Sequence, residues 1–302
     1  MEGSTAAGPI GGTDIRAAQL PPPGLYGIGA VAYGENQGFN DGNGDSDPVL
    51  NGLEQRTATG GGALLYVPDF EVFGGNLGFV GLLRASQQCG RLFANSERRC
   101  IEGFGDPYVE VDWSRFFGEW RPSKYDGAYP IPQGLTLQLG LGVVIPLGRY
   151  SAEDARTSGV TIGNNIWDVA PSLGFTYVTP PIIADGTELS SKIFFNNYFE
   201  NPETDYQSGS LVNVDFALTE KIGKFQVGLA GLYAVQVEDD EQFGVRVGSD
   251  GRRARVLSLG GVAAYDMPEY GAAVKLKGVT TIVSQNTVNG FGIALTFIKK
   301  LY

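Results

Sequence analysis

One stretch of the chain alternates strictly between two kinds of side chain. In GLTLQLGLGVVIP, residues 134–146, leucine, valine or isoleucine takes every odd position from Leu135 to Ile145. Small or polar residues, among them Thr136 and Gln138, take most positions between them. Because side chains of a β-strand point alternately to opposite faces, the segment is predicted to be a strand with one apolar face. A soluble β-sandwich would bury that face, whereas a transmembrane barrel would turn it towards lipid.

The same alternation recurs from one end of the chain to the other. Turn-forming residues separate about twelve such segments, most of them as long as the roughly 9–11 residues that cross a bilayer. They are residues 24–34, 59–69, 73–86, 106–117, 134–146, 166–178, 188–200, 209–219, 225–237, 255–265, 271–283 and 290–301. Connections after the odd strands are long and polar, and those after most even strands are short, apart from 118–133. The sequence predicts an all-β fold, a transmembrane outer-membrane antiparallel β-barrel of about twelve strands.

The faces opposite the apolar residues carry few charges. Only 18% of the residues are charged, and 45 are glycine. Glycine, alanine, serine and glutamine oppose the aliphatic and aromatic residues in 166–178, 225–237 and 290–298. The water-exposed face of a sandwich would carry many charges, whereas a crowded lumen suits small polar groups. The apolar faces are therefore predicted to contact lipid.

Charge and composition exclude several classes of function. The formal net charge is −11, which argues against nucleic acid as a partner, because that partner needs a basic surface. The chain has no histidine, so Ser-His-Asp and Cys-His catalysis and histidine zinc sites are excluded. The sequence contains no nucleotide-binding or redox motif. We expect no enzymatic activity, no cofactor and no metal; a membrane enzyme with an acid or serine–lysine site is the weaker alternative.

An acidic loop has some features of a calcium site. In NDGNGDSDP, residues 40–48, Asp41, Asn43, Asp45 and Asp47 take alternating positions. An EF-hand loop would need glycine at its sixth position and glutamate at its twelfth, and both are missing. A solvated acidic outer loop is the preferred interpretation, and bound calcium is the alternative.

The chain has two cysteines, Cys89 and Cys100, in a polar stretch between two predicted strands. They are either two unrelated thiols or a disulfide, which would contribute about 2–3 kcal/mol by closing the loop. A disulfide also requires an oxidising compartment. We expect the disulfide.

The first residues differ from the rest of the chain. Residues 1–23 show no periodic pattern and end in three prolines, which form a stiff spacer. They are interpreted as a periplasmic tail or a lumen plug that precedes a barrel of residues 24–302. The start lacks the basic and apolar regions of a signal peptide. We expect that a signal was removed, and that the mature chain is a monomer in the bacterial outer membrane, against lipid and lipopolysaccharide.

Charged and amide side chains on the predicted lumen faces are the candidate substrate-binding residues. They are Arg84, Glu110, Asp112, Lys192, Asn196, Asn213, Asp215, Lys275 and Lys277. If residues 201–208 form a tight loop, Asn196 lies opposite Asn213 and Lys192 lies diagonal to Asp215. That arrangement favours structural pairing of Lys192 with Asp215.

Lys275 and Lys277 are the candidates for direct contact with a substrate. They share one strand face, and no acidic residue is expected opposite them on the last strand. Charged side chains in a lumen set the selectivity of pores, so the two lysines could receive a carboxylated or phenolic aromatic molecule. The alternative is structural pairing with Glu110, Asp112 or a tail residue such as Asp14.

Six motifs carry a resemblance to a known family. They are PPPGLY (21–26), GFGDPYVEV (103–111), PLGRY (146–150), NNIWDVAPSLGFTYV (164–178), NNYFENPETDYQSG (196–209) and VGLAGLYAVQVEDD (227–240). In their order the chain resembles the outer-membrane protein family named after the meta-cleavage pathway of phenol degradation. The resemblance implies a channel for passive uptake of small aromatic or hydrophobic molecules. The alternative function is a non-transporting structural or adhesive outer-membrane barrel.

Overall fold

The computed structural model describes residues 12–50 and 52–302. Twelve long antiparallel strands form one closed sheet in which every strand pairs with its neighbours in sequence and the last pairs with the first. The strands are β1 (Gly24–Asn40), β2 (Glu54–Val67), β3 (Gly75–Arg91), β4 (Tyr108–Arg121), β5 (Ile131–Val144), β6 (Asp168–Val178), β7 (Gly186–Tyr198), β8 (Leu211–Ile222), β9 (Phe225–Gln236), β10 (Arg255–Met267), β11 (Ala272–Gln285) and β12 (Thr287–Lys300). The predicted barrel and its number of strands are confirmed.

The apolar faces of the strands point outwards. Leu139 is 55% exposed on the outside of β5, whereas its neighbour Gln138 is 3% exposed on the lumen side. On β12 the outward residues Phe291 and Leu295 are exposed in the same way. Exposed leucine and phenylalanine on every second position form the apolar belt that a membrane barrel presents to lipid. The prediction that these faces contact lipid is confirmed.

The connections differ between the two ends of the barrel. Residues 68–74, 122–130, 179–185, 223–224 and 268–271 join strands at one end, which we call the periplasmic end by the barrel convention. Five connections at the opposite, outer end are longer, namely 41–53, 92–107, 145–167, 199–210 and 237–254, whereas Asn286 alone joins β11 to β12. Residues 118–133 were predicted to be one long connection, but β4 and β5 remain paired as far as Arg121 and Ile131. Seven of these sixteen residues are therefore strand, and the connection itself is residues 122–130.

The outer connections contain several short strands. Strand Arg99–Phe104 pairs with β3, and Tyr206–Gln207, Glu241–Gln242 and Val245–Arg246 form a separate three-stranded sheet. Two further short elements, strand Glu71–Val72 and the 3₁₀ turn Pro268–Tyr270, lie at the periplasmic end. No helix in the described residues is long and apolar enough to span a membrane.

The connection between β5 and β6 turns inwards over the outer end of the lumen. It contains the single α-helix of the described chain, α1 (Ala152–Ser158), which ends at Gly159 in a left-handed conformation with a φ of 70°. Gln55 of β2 donates a hydrogen bond to the Gly159 carbonyl, and Gln88 of β3 accepts one from the Thr161 amide. Both glutamines face the lumen, so this connection narrows the outer mouth.

Cys89 and Cys100 form a disulfide. Cys89 lies on β3 and Cys100 directly opposite it on strand Arg99–Phe104. The predicted bond is confirmed, and it joins two paired strands instead of closing an irregular loop.

Two carboxylates of the acidic loop 40–48 accept hydrogen bonds from nearby backbone amides. Asp41 Oδ1 accepts hydrogen bonds from the amides of Asn43 and Asp45, at 2.9 and 3.0 Å. Asp47 Oδ1 accepts two more from the amides of Val49 and Leu50. These contacts account for two of the four alternating side chains that suggested calcium.

Candidate functional site

Residues 12–20, the N-terminal segment, lie inside the lumen. Thr13 donates hydrogen bonds from its amide and its hydroxyl to Asp215 of β8, at 3.1 and 2.9 Å. On another side of the barrel, Ser114 of β4 donates a hydrogen bond to the Ala18 carbonyl at 2.5 Å. The segment therefore crosses the space that the strands enclose.

Asp14 of the N-terminal segment lies between the two lysines of β11. Its carboxylate oxygens are 2.8 Å from Lys275 Nζ and 2.9 Å from Lys277 Nζ. Asp14 is fully buried, and the side chain of Lys277 is 6% exposed. Lys275 also donates a hydrogen bond to the carbonyl of Gly12 at 3.0 Å. The acidic group that the neighbouring strand lacks is thus supplied by the N-terminal segment.

A second charged cluster holds the segment at the periplasmic end. The guanidinium of Arg16 donates to both carboxylate oxygens of Asp266, at 3.0 and 2.7 Å, and the ammonium of Lys221 lies 3.3 Å from the same carboxylate. The Arg16 amide donates to Glu188 at 2.6 Å, and its Nε donates to Gln226 at 3.0 Å. Sequence reasoning missed this cluster, although alternation alone places the four wall residues on lumen faces.

Lys192 of β7 forms the core of a third cluster. Its ammonium lies 2.8 Å from Glu110 and 3.1 Å from Asp112, both on β4, and its side chain is 2% exposed. Ser172 of β6 donates a hydrogen bond to Glu110 at 3.2 Å. The cluster bridges strands that are not neighbours, so it braces the lumen from within.

The predicted register between β7 and β8 is wrong by two residues. Asn196 faces Leu211, Asn213 faces Phe194, and Lys192 lies directly opposite Asp215. The shift arises because β8 begins with Leu211 opposite Asn196, whereas Asn197 and Tyr198 at the end of β7 pair only with β6. A shift of two residues leaves every side chain on the same face, so the predicted lumen residues still face the lumen.

The remaining predicted residues lie at different places on the wall. The amide of Asn213 donates to Asp215 at 3.3 Å, beside the contact of that carboxylate with Thr13. The amide of Asn196 donates to the Leu211 carbonyl at 3.4 Å. Arg84 is exposed, and its side chain lies beside Gly105.

A cavity of about 290 Å³ lies in the lumen beside Lys277. Its other wall residues are small, apolar or hydroxyl-bearing and come from five strands: Ala32, Tyr33, Gly34, Thr57, Thr59, Leu232, Val279, Gly292, Ile293 and Ala294. Two wider and more polar cavities, of about 590 and 580 Å³, open around Glu35 and Gln37 at the outer mouth. The inner cavity brings one fixed cation next to apolar surface.

A closed antiparallel ladder, an outward apolar belt and a polar lumen together define an outer-membrane β-barrel. Residues 36–297 match the sequence model of the family described as the MetA pathway of phenol degradation. The chain belongs to that family, as its motifs predicted.

Solved structures share the fold at low sequence identity. An outer-membrane channel from Pseudomonas putida F1 is 12% identical with a TM-score of 0.73, over 94% of this chain and 98% of that one. The β domain of a Bordetella autotransporter is 13% identical with a TM-score of 0.52, over 92% and 100% of the two chains. The transport unit of the Escherichia coli autotransporter AIDA-I is 11% identical with a TM-score of 0.51, over 96% and 93%. No sequence match to a curated protein was found.

Proposed function

We propose that the protein is an outer-membrane channel for passive uptake of small aromatic or hydrophobic molecules. Membership in the family of the phenol-degradation pathway supports an aromatic substrate. The Pseudomonas putida protein of the same fold is an outer-membrane channel. The ladder closes within one chain and needs no second copy to complete the barrel, which supports a monomer surrounded by lipid and lipopolysaccharide as part of this proposal.

The observation that carries this proposal is the inner cavity of about 290 Å³. A dry apolar cavity of about 150 Å³ in another protein binds benzene, so the volume here suffices for one aromatic ring with a substituent. The cavity is lined mainly by small and apolar groups, and most of its wall residues, such as Ala32, Thr57 and Ala294, lie on lumen faces of the strands. A ring-sized space of this character favours single aromatic molecules over sugars or peptides.

The N-terminal residues act in this proposal as a plug, and residues 24–302 act as the channel wall. The contacts of the N-terminal segment with Asp215, Lys275 and Asp266 support this role, because they hold the segment inside the lumen. A filled lumen is also the one observation that favours the alternative function, a structural or adhesive barrel that transports nothing. The two functions differ in whether solutes pass through the lumen.

Filling the inner cavity tests the proposal. Ala32 and Val31 are neighbours on β1, but Ala32 lines the cavity and Val31 is 57% exposed on the lipid side. Ala32→Trp is expected to lower uptake of labelled phenol into vesicles with a lipopolysaccharide outer leaflet, because the indole fills the space for the ring. Val31→Trp adds the same side chain on the other face and should leave uptake unchanged.

The outcome separates the two functions. Equal uptake by empty vesicles and by vesicles with the parent protein would favour the structural barrel. Equal uptake by both tryptophan variants and the parent would show that solutes do not use this cavity.

A further inference from the structure

Two lysines of the barrel wall form a site that a carboxylate of the N-terminal segment now occupies. Asp14 Oδ1 lies 2.8 Å from Lys275 Nζ, and Asp14 Oδ2 lies 2.9 Å from Lys277 Nζ. Each oxygen therefore has its own ammonium group. Two charge-assisted contacts to one planar group recognise its geometry as well as its charge.

The four residues paired with the lysines in the ladder carry no charge. The residues that face them on β10 and β12 are Val262, Ala264, Ala294 and Thr296. The carboxylate at this site comes from outside the ladder, on a segment that is not itself a strand of the barrel. The Asp14 carboxylate can therefore leave the lysines without breaking the barrel wall, and the carboxylate of a ligand can take its place.

We propose that Lys275 and Lys277 bind the carboxylate of a single-ring aromatic acid, and that Asp14 occupies their site until such a ligand replaces it. This inference rests on the proposed uptake of aromatic molecules. It adds that the substrates are aromatic acids and that the Asp14 carboxylate occupies the binding site in their absence. Exchange of one carboxylate for another keeps both ammonium groups paired. The large cost of leaving two nearly buried cations without a counter-ion is therefore avoided.

The inner cavity receives the ring of the ligand. Lys277 lies on its wall together with Leu232 and Val279, so a carboxylate at the lysines continues into apolar surface. A neutral aromatic alcohol fits the same space but cannot take over the charge of Asp14. An aromatic ammonium would meet two like charges. The site thus selects aromatic acids for displacement of Asp14.

The remainder of the segment keeps its own anchors when Asp14 is released. Arg16 is bound through two hydrogen bonds to Asp266, and Leu20 packs on the apolar cluster of Tyr26 and Leu65. Movement of residues 12–15 is enough to free the lysines, at the cost of the contact between Thr13 and Asp215 and of the packing of Ile15 on an apolar cluster of the wall. A tethered carboxylate returns readily once the ligand leaves, because its effective concentration stays high.

The test uses benzoate as the probe and the full chain in detergent. Benzoate affinity is measured by calorimetry, and movement of the segment is followed with a fluorophore on Gly12→Cys. A Cβ at Gly12 meets no atom within 4 Å, and both native cysteines are held in the disulfide. Benzoate is expected to shift the emission of the label, whereas benzyl alcohol, which lacks the charge, is not.

Three variants give the expected pattern. Asp14→Asn should bind benzoate on the order of tenfold more tightly, because no internal carboxylate competes for the lysines. The triple variant Asp14→Asn, Lys275→Gln, Lys277→Gln removes the three charges together and should lose the benzoate response. Lys224→Gln removes a lysine of the periplasmic turn, one paired with Glu269, and should leave benzoate affinity unchanged.

Two results would overturn the proposal. One is an equal response to benzoate and benzyl alcohol; the other is unchanged benzoate affinity in the triple variant. Binding in detergent does not depend on passage through a membrane. If the variants show the expected benzoate binding but the vesicles show no uptake, only the proposed channel function is rejected. If the vesicles show uptake but the variants lack the expected benzoate binding, only the proposed carboxylate site is rejected.

Discussion

At the scale of single residues, strand periodicity decides the face on which a side chain lies but not the group that it contacts. The lumen orientation of all nine candidate residues follows from alternation with period two, and it survives even the register error between Asn196 and Asn213. Their partners do not follow from it. Lys192 lies opposite Asp215 in the ladder, yet its ammonium reaches Glu110 and Asp112 on a distant strand. Such contacts depend on the curvature of the closed barrel, which a single sequence does not display.

The outward orientation of Leu139 predicts the effect of a charge at that position. Leu139→Arg should lower the free energy of unfolding in bilayers by about 2–4 kcal/mol, because an arginine on the lipid face near mid-membrane is poorly solvated. Ala32→Arg, which points into the inner cavity, is the control and should cost clearly less. Denaturant titration of both variants in lipid vesicles measures the difference. Similar losses for both would place Leu139 away from lipid.

At the scale of elements, strand cores were predictable and strand ends were not. The structure extends β1 to Asn40, starts β2 at Glu54 and ends β3 at Arg91, all beyond the predicted bounds. Polar residues occupy both faces in these extensions, so the alternation that marks a lipid-facing strand is absent while the backbone ladder continues. Residues 118–121 and 131–133 also lack this alternation, so they were predicted to belong to a connection although they are strand. The position of the N-terminal segment was also left open. Its nine residues, 12–20, have no periodic pattern, so their sequence does not indicate which residues they contact.

Asp185 ties three periplasmic connections together. Its carboxylate accepts hydrogen bonds from the Ser123 hydroxyl at 2.6 Å, the Lys124 amide at 3.1 Å and the Gly223 amide at 3.0 Å. Burial raises the pKa of this carboxyl, but the three hydrogen bonds outweigh burial and hold the pKa below its ordinary value. A carboxyl with a lowered pKa in the folded state stabilises the fold at neutral pH. That contribution is lost as the pH falls below the ordinary aspartate pKa of about 3.9 and through the lowered one.

Asp185→Asn should therefore destabilise the barrel by about 1–3 kcal/mol at neutral pH, since hydrogen bonds to a charged acceptor are weakened. The difference from the parent should shrink as the pH falls below about 4. Asp126→Asn, at an exposed carboxylate in the same connection as Ser123, is the control and should have little effect. Unfolding midpoints of the three proteins across this pH range give the comparison. A difference that does not change with pH would mean that the charge of Asp185 is not involved.

At the scale of the whole molecule, the sequence predicts the β-barrel well but predicts poorly which residues fill its lumen. Twelve strands give a narrow barrel, and three charged clusters together with the N-terminal segment fill much of its interior. What space remains beside Lys277 is ring-sized. We therefore expect passage through this barrel to depend less on the diameter of the wall than on the segment that crosses the lumen.

The most direct test of this account is the current through single channels in planar bilayers, recorded for the full chain and for a chain without residues 1–20. The full chain should conduct weakly, and removal of the segment should raise the current severalfold, because its contacts at Asp215, Lys275 and Asp266 are gone. The different migration of boiled and unboiled samples on gels checks that the shortened barrel remains folded. Equal currents from the two folded proteins would contradict the claim that the N-terminal segment limits passage through the lumen.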